Sequence, residues 1–319
     1  MPTQRDTNPY KNTDSNKRYY TYDYYLKTTF GGKCLKIPLD IGCTCPNKDG
    51  SKGVGGCIYC SSRGSGDFAA SSVLSIAEQC KQSMEMLKKK WNVERVIPYF
   101  QAHTNTYAQT EYLREKFYEA LKLENTVAMN IATRADCLSD ETVALLTELA
   151  QKTVLTVELG LQSTNDKTAQ IINRCHSYKE FLCGYDKLRK ASEKIRIGIH
   201  IINGLPGENA DDMLKTAKDV AALRPDEVKI HLLHVIRGTA LAKMYLDGDY
   251  NTLTLDEYAD IVTKQLCVMP KDTVIGRITG DGVASDLLAP EWSLKKTNVI
   301  NTIDKLMYSK NLWQGMESN

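Results

Sequence analysis

The sequence predicts an α/β protein built from repeated βα units around a parallel sheet. From residue 34 onward, short β-branched or apolar runs alternate with longer stretches of helical period. The chain has 319 residues, 42% hydrophobic and 25% charged, enough for one large α/β core or two smaller ones. No Gly-, Ser- or Pro-rich linker, internal repeat or low-complexity block interrupts the body, which favours a single domain.

Taken in order, the apolar runs predict strands over 34–39, 95–101, 128–132, 153–160, 196–203 and 227–235. Helices are predicted near 75–91, 112–122, 139–152, 178–194, 210–223 and 254–268, with start signals at several of them. Ser75 and Glu78 fit a capping box, as do Thr254 and Glu257. Ser139 precedes Asp140 and Glu141, whose charge suits the positive end of a helix dipole. Six βα units are too few for a closed eight-stranded barrel, and periodicity leaves both an incomplete barrel and a doubly wound open sheet in play. In either, ligands bind in the loops past the strand C-termini.

Composition removes several classes. Ten cysteines are about 3% of the chain, below the roughly 8–10% of a disulfide scaffold. The polar stretch Met1–Tyr20 lacks the apolar core of a signal peptide, and no window approaches the roughly 18 apolar residues of a membrane span. These features place the protein in the cytoplasm without membrane attachment, where clustered thiols bind metal or do chemistry. Residues 1–65 hold ten Lys and Arg against five Asp and Glu, while the remainder holds 31 against 34. A basic arm of this kind permits contact with phosphates. Its aromatic run from Arg18 to Tyr25 suits either base stacking or packing against the body. Lys88-Lys89-Lys90 reads as solvated surface.

The densest chemical signal follows the first predicted strand. Between Cys43 and Cys60 lie four thiols, Cys43, Cys45, Cys57 and Cys60, and four glycines fall within residues 50–56. Glycine lets backbone fold closely around a bulky inorganic ligand and aim N–H groups at its sulfurs. Three sulfur ligands on a 4Fe-4S cluster leave one iron open for substrate; four close the site, as in structural zinc or electron transfer. Cys57-x2-Cys60 is a strong ligand spacing, whereas Cys43-x-Cys45 is not that of a zinc knuckle.

The segment Cys45-Pro46-Asn47, Asp49-Gly50, Gly55-Gly56-Cys57-Ile58-Tyr59-Cys60 resembles the cluster loop of radical S-adenosylmethionine (SAM) enzymes, in particular the bacterial group related to the catalytic subunit of Elongator. Further segments match in order from about Arg18 to Lys296: Tyr99–Tyr107, Ala132–Leu138, Val157–Ser163, Ile172–His176, Gly204–Glu208, Lys229–Val235 and Arg277–Gly282. The resemblance implies a partial (β/α)6 barrel at residues 31–270, preceded by a basic aromatic arm at 1–30 and followed by an extension at 271–319 that packs on the barrel. It selects Cys45, Cys57 and Cys60 as ligands of a 4Fe-4S cluster, with Cys43 outside the pattern. The open iron takes the amine and carboxylate of SAM, and an electron from the cluster then cleaves the sulfonium to give a 5′-deoxyadenosyl radical.

On the same resemblance the backbone at Tyr59 approaches the adenine, and Gln101 and Thr104 lie near the methionine amine. Glu158 and Gln162 suit ribose hydroxyls, Arg174 pairs with the methionine carboxylate, and His200 and Gly204 flank the adenosine. Each has a plainer alternative. Glu158 and Arg174 can be partners in an ordinary ion pair, and Gly204 can serve only a turn. Histidines near strands are more often satisfied core residues, and His231 and His234, three apart, are expected on opposite faces. The other six thiols are mainly packing residues, and Cys175 stands where the family has glycine. The resemblance implies tRNA as substrate, with a wobble-uridine side chain taken from carboxymethylaminomethyl toward aminomethyl, and an electron donor such as flavodoxin or ferredoxin. The chain ends at Asn319, which disfavours a following acetyltransferase domain. The rival readings are radical chemistry on a small metabolite or another macromolecule, and a zinc-containing RNA-binding or scaffold protein.

Overall fold

The structure, a computed structural model, describes residues 8–64, 69–88, 93–280 and 282–318. Lys89, Lys90 and Asp281, and with them parts of two motifs noted above, lie outside the described residues. The strands are β1 (Leu35–Leu39), β2 (Val96–Phe100), β3 (Ala128–Thr133), β4 (Val154–Gln162), β5 (Ile195–Asn203), β6 (Glu227–Leu232), β7 (Val235–Ile236), β8 (Val274–Arg277) and β9 (Leu287–Ala289). One seven-stranded sheet has the order β1-β2-β3-β4-β5-β6-β8, and β7 pairs with β9 in a separate antiparallel ribbon. The order follows the chain with no reversal. That is the winding of a partial (β/α) barrel rather than of a doubly wound sheet, whose strand order turns back at a switch point.

All six expected strands are present. The last is shorter than its apolar run, because β6 stops at Leu232 and the chain breaks before β7. The six expected helices occur at Ile76–Lys88, Thr110–Leu121, Asp140–Ala150, Tyr178–Ala191, Ala210–Ala222 and Leu255–Val268. The capping signals act as read: Thr254 and Glu257 cap each other reciprocally, and the Ser139 side chain accepts from the Thr142 N–H at 3.1 Å.

The chain forms two compact units, one of residues 29–161 and 173–198, the other of 1–28, 162–172 and 199–319. It passes between them within the helix over Tyr22–Phe30, within β4, after Ile172 and within β5, so no linker composition marks the division. Residues 8–28 share their unit with 271–318.

In the first unit β1 and β2 pair in parallel from Leu35↔Val96 to Leu39↔Phe100, and β3 and β4 from Ala128↔Val154 to Thr133↔Leu159. Ile37, Leu39, Phe100, Met129, Ile131 and Leu155 are fully covered, each burial stabilising by about 1.5–3 kcal/mol. Phe100 meets Phe117 of the helix over Thr110–Leu121 edge-on, with centroids 4.9 Å apart. Because β1 to β4 are parallel, the loops that follow them leave from one edge of the sheet.

In the second unit β6 pairs in parallel with β8, and the other edge of β8 is covered by the N-terminal segment. The Ile275 N–H donates to the Tyr20 carbonyl at 2.8 Å, and Gln314 N–H to the Arg18 carbonyl at 2.9 Å. Arg18 also donates to Asn311 Oδ1 at 2.9 Å and lies 5.1 Å from the centre of the Tyr308 ring. Tyr19 and Tyr25 are buried. Of the two readings of the aromatic run, packing is the one realised for these rings.

Candidate functional site

The loop after β1 carries the three thiols expected to bind a cluster. Cys45 starts a tight turn, its carbonyl accepting from the Lys48 N–H at 2.8 Å and the Asp49 N–H at 3.2 Å; the Cys60 N–H donates to the Cys57 carbonyl at 2.9 Å. Lys48 Nζ reaches back to the carbonyls of Ser61 and Ser62 at 2.9 and 3.1 Å, closing the loop on itself. Burial, and then the neighbouring Cys57, push the Cys60 thiol up to about 12; Cys45 acts in the same sense, while Lys48 and Arg174 oppose it. The loop thus offers three thiol sulfurs, that of Cys57 buried and those of Cys45 and Cys60 half-buried. Soft sulfur donors of this number fit an iron–sulfur cluster.

Among the described residues, no three His, Cys, Asp or Glu side chains are placed to hold a single metal ion. A four-iron cluster takes its ligands on separate irons and needs no such convergence. Cys43 lies elsewhere: it is buried, and its thiol is pushed up to about 12 by burial and by Asp40. Tyr112, which donates to the Ile41 carbonyl at 2.7 Å, also senses it.

Arg174 belongs to the neighbourhood of Cys60. Its Nη2 donates to the Gly160 carbonyl at 2.5 Å, and its Nε is buried without a hydrogen-bond partner. Its positive charge is felt at both Cys60 and Tyr59. An unmet guanidinium donor beside a thiol cluster fits a carboxylate. Burial raises the Tyr59 phenol, with Cys57 adding to it.

Gln101 and Thr104 follow β2, their N–H groups donating to Leu39 at 3.4 Å and to Thr44 at 3.3 Å, so both are tied to the chain leading into the cluster loop. Glu158 is in an ion pair, but not with Arg174: its Oε1 accepts from Lys36 Nζ at 3.2 Å and from Asn130 Nδ2 at 2.7 Å, and its side chain is fully buried.

Sequence reasoning gave no role to a second set of residues that holds this loop in place. Arg134, just past β3, forms a two-pronged pair with Asp136 at 2.9 and 2.8 Å. It also donates to the Arg174 carbonyl at 3.0 Å and, more weakly, to that of Cys175 at 3.4 Å. Lys52 of the cluster loop reaches the same carboxylate at 2.6 Å. Burial alone would raise the Asp136 carboxyl, yet Arg134 and Lys52 hold it well below the usual carboxylate range. The signal available in the sequence was the Arg-x-Asp pattern directly after a strand. Cys175, where the family has glycine, has φ +55°, a left-handed backbone in which glycine is at ease.

In the second unit Gln162 ends β4 with φ +77°. His200 of β5 and His231 of β6 stand ring to ring, centroids 5.0 Å apart. His234 lies beyond the end of β6, against Gly280 and Gly282, where an added Cβ would come within 2.9 and 3.1 Å of its ring; the strand alternation expected to oppose it to His231 does not reach it. Gly204 has φ +88° and its carbonyl accepts from Tyr250 Oη at 2.6 Å, so it serves a turn.

Glu208 closes the same turn, hydrogen-bonded by Ser163 and Thr168. Burial pushes its carboxyl up to about 7, against those two hydrogen bonds. A carboxyl whose folded value lies above its unfolded one binds more protons in the fold. Its contribution is present below about pH 4.5 and is lost as pH rises to about 7, on the order of 3 kcal/mol. Glu208→Gln is expected to flatten the stability profile between pH 5 and 7; urea melts across that range check it, and an unchanged slope would refute the assignment.

The fold and this thiol site define a radical SAM protein. Residues 45–220 match the radical SAM superfamily and residues 225–309 the radical SAM C-terminal domain, so the chain belongs to the radical SAM superfamily. The family uses a 4Fe-4S cluster and SAM. The chain is 44% identical to the uncharacterized protein YtqA of Bacillus subtilis, over 98% of this chain and 96% of that one. It is 27% identical to a tRNA uridine(34) acetyltransferase of Methanocaldococcus infernus, over 64% of this chain and 38% of that one. In fold it is similar to Elp3 of the same archaeon, with a TM-score of 0.65 and 19% identity, over 88% of this chain and 64% of that one. Among the described residues, no helix is long and apolar enough to cross a membrane.

Proposed function

We propose that this radical SAM enzyme acts on tRNA, modifying the side chain of a wobble uridine from carboxymethylaminomethyl toward aminomethyl. The SAM site is supported above all by Arg174, whose Nε is buried and unpartnered and whose positive charge is felt at Cys60. The choice of substrate rests on the likeness to the M. infernus acetyltransferase, whose name gives it tRNA uridine 34. In this reading Cys45, Cys57 and Cys60 hold the cluster, and Arg174 fixes the methionine carboxylate of SAM. When bound and reduced by flavodoxin or ferredoxin, the cluster supplies radical chemistry through one-electron cleavage of SAM. The roles that the resemblance gives Tyr59, Gln101, Thr104, Glu158, Gln162, His200 and Gly204 toward SAM belong to the same proposal.

Cells lacking the protein are expected to accumulate a precursor of the mature wobble nucleoside, seen by mass spectrometry of digested tRNA. An unchanged nucleoside profile, with SAM cleavage intact in the purified protein, would move the substrate to a small metabolite or another macromolecule.

A further inference from the structure

Asn47 is fully buried in the cluster loop, and its carboxamide touches both halves of the site. Nδ2 donates to Cys57 Sγ at 3.6 Å and also to the carbonyl of Asn173, the residue before Arg174. Both neighbours are acceptors, so the carboxamide can sit only with its nitrogen toward them; the flipped form would set Oδ1 against a sulfur and a carbonyl. Oδ1 is accordingly left buried with no partner. Such a group is costly to keep unless its other atom is needed where it is.

The surroundings are shaped to this placement. The Asn47 carbonyl accepts from the Gly56 N–H at 2.7 Å. Asn173 braces the loop in return, its Nδ2 donating to the carbonyls of Gly56 at 2.8 Å and Val54 at 3.2 Å. A Cβ at Gly53 would fall 2.2 Å from Asn47 Oδ1 and 2.6 Å from Cys175 Sγ, so only glycine lets the loop close over the carboxamide.

We propose that Asn47 is a positioning residue that couples the seat of the SAM carboxylate to the reduction potential of the cluster. The proposal rests on the reading above, in which Cys57 is a cluster ligand and Arg174 holds the carboxylate. An N–H···S bond favours the reduced cluster, which carries one more negative charge on its iron and sulfur atoms. One –NH2 group serves both the ligand sulfur and the backbone of the Arg174 loop. Any shift of residues 173–174 as Arg174 takes a carboxylate therefore changes the hydrogen bond to sulfur. The step is a one-electron reduction of the cluster by an external donor; no bond to carbon forms or breaks in it.

The test is a dithionite titration of the full chain, reconstituted with iron and sulfide, followed by electron paramagnetic resonance with and without SAM. Asn47→Ala is expected to load the cluster, to have a more negative midpoint than the wild type, and to lose most of the midpoint change that SAM produces. An unaltered midpoint and SAM response would overturn the proposal. Asn47→Asp, of the same shape but without the donor, substitutes where the alanine variant does not load, with the same expectation. If neither variant loads, the carboxamide builds the cluster site rather than tuning it, and the coupling is rejected. Full cluster content in Cys57→Ala would instead refute the ligand assignment, which separates the two failures.

Discussion

Cys57→Ala is expected to bring cluster iron and sulfide to background after anaerobic reconstitution, and with them the release of 5′-deoxyadenosine on reduction. Cys43→Ala is expected to leave all three unchanged. The contrast follows from where the two buried thiols sit. Cys57 adjoins Cys60 and Tyr59, inside the charge neighbourhood of Arg174, and receives the Asn47 hydrogen bond. Cys43 belongs with Asp40 and Tyr112. Iron and sulfide measured in both variants, alongside zinc, decide the matter. Loss of the cluster from Cys43→Ala would make the site a four-thiolate one with no open iron. Bound zinc with no SAM cleavage would favour the structural reading.

The second large effect lies in the residues that hold the loop. Arg134 and Asp136 side chains are 3% and 4% exposed, and removing one partner of such a pair strands the other as a buried charge. Asp136→Asn is expected to destabilise the protein by about 3–5 kcal/mol, lowering the melting temperature on the order of 10 °C. The carboxyl is held below its unfolded range, so its contribution is present above about pH 4 and lost as the pH falls further. The variant should therefore show a flatter acid limb as well as a lower melting temperature. Adding Arg134→Gln should recover part of the loss, since it removes the stranded charge. Melting curves within about 1 kcal/mol of wild type would show the pair to be dispensable.

How much of this was legible in the sequence depends on the range of the interactions. Strands β1 to β6 announce themselves through short runs rich in apolar and β-branched residues, interrupted by polar ones in β1, β5 and β6. β8 did not. It has four residues, one of them Gly276, and its identity comes from β6 on one side and Tyr20 on the other, far away in the chain. The helix over Lys296–Ser309 was missed for a local reason: its N-cap position is Lys295, with no side-chain cap, so its start reads as surface charge. The segment from Tyr22 to Phe30 is helical although its Tyr and Thr residues favour strands; Thr21 Oγ1 accepts from the Tyr24 N–H at 3.1 Å at its start.

The same division holds within the site. Spacing alone selects Cys57 and Cys60; the resemblance adds Cys45 and leaves Cys43 outside, and in space Cys43 is buried beside Asp40. Asn47, Lys52, Arg134 and Asp136 carry no periodic signal, and the pair between Lys52 and Asp136 spans 84 positions. The plainer alternative for Glu158, a pair with Arg174, names a different cation from Lys36, because alternation places Glu158 on a face of β4 without saying which strand supplies the charge opposite.

The seam between Arg18–Thr21 and the C-terminal segment sets an order in time. Gln314 accepts from the Tyr20 N–H at 2.8 Å across 294 positions, and its side-chain amide donates to the carbonyls of Pro270 and Thr273 at 2.6 and 2.8 Å. Residues 18–21 thus wait until residue 314 has been made before these hydrogen bonds exist. The unit that contains both cannot close this seam until residue 314 has emerged, whereas the pairings of β1 to β4 need nothing beyond Gln162. The strands that carry the thiol loop can therefore pair early, and the seam closes late.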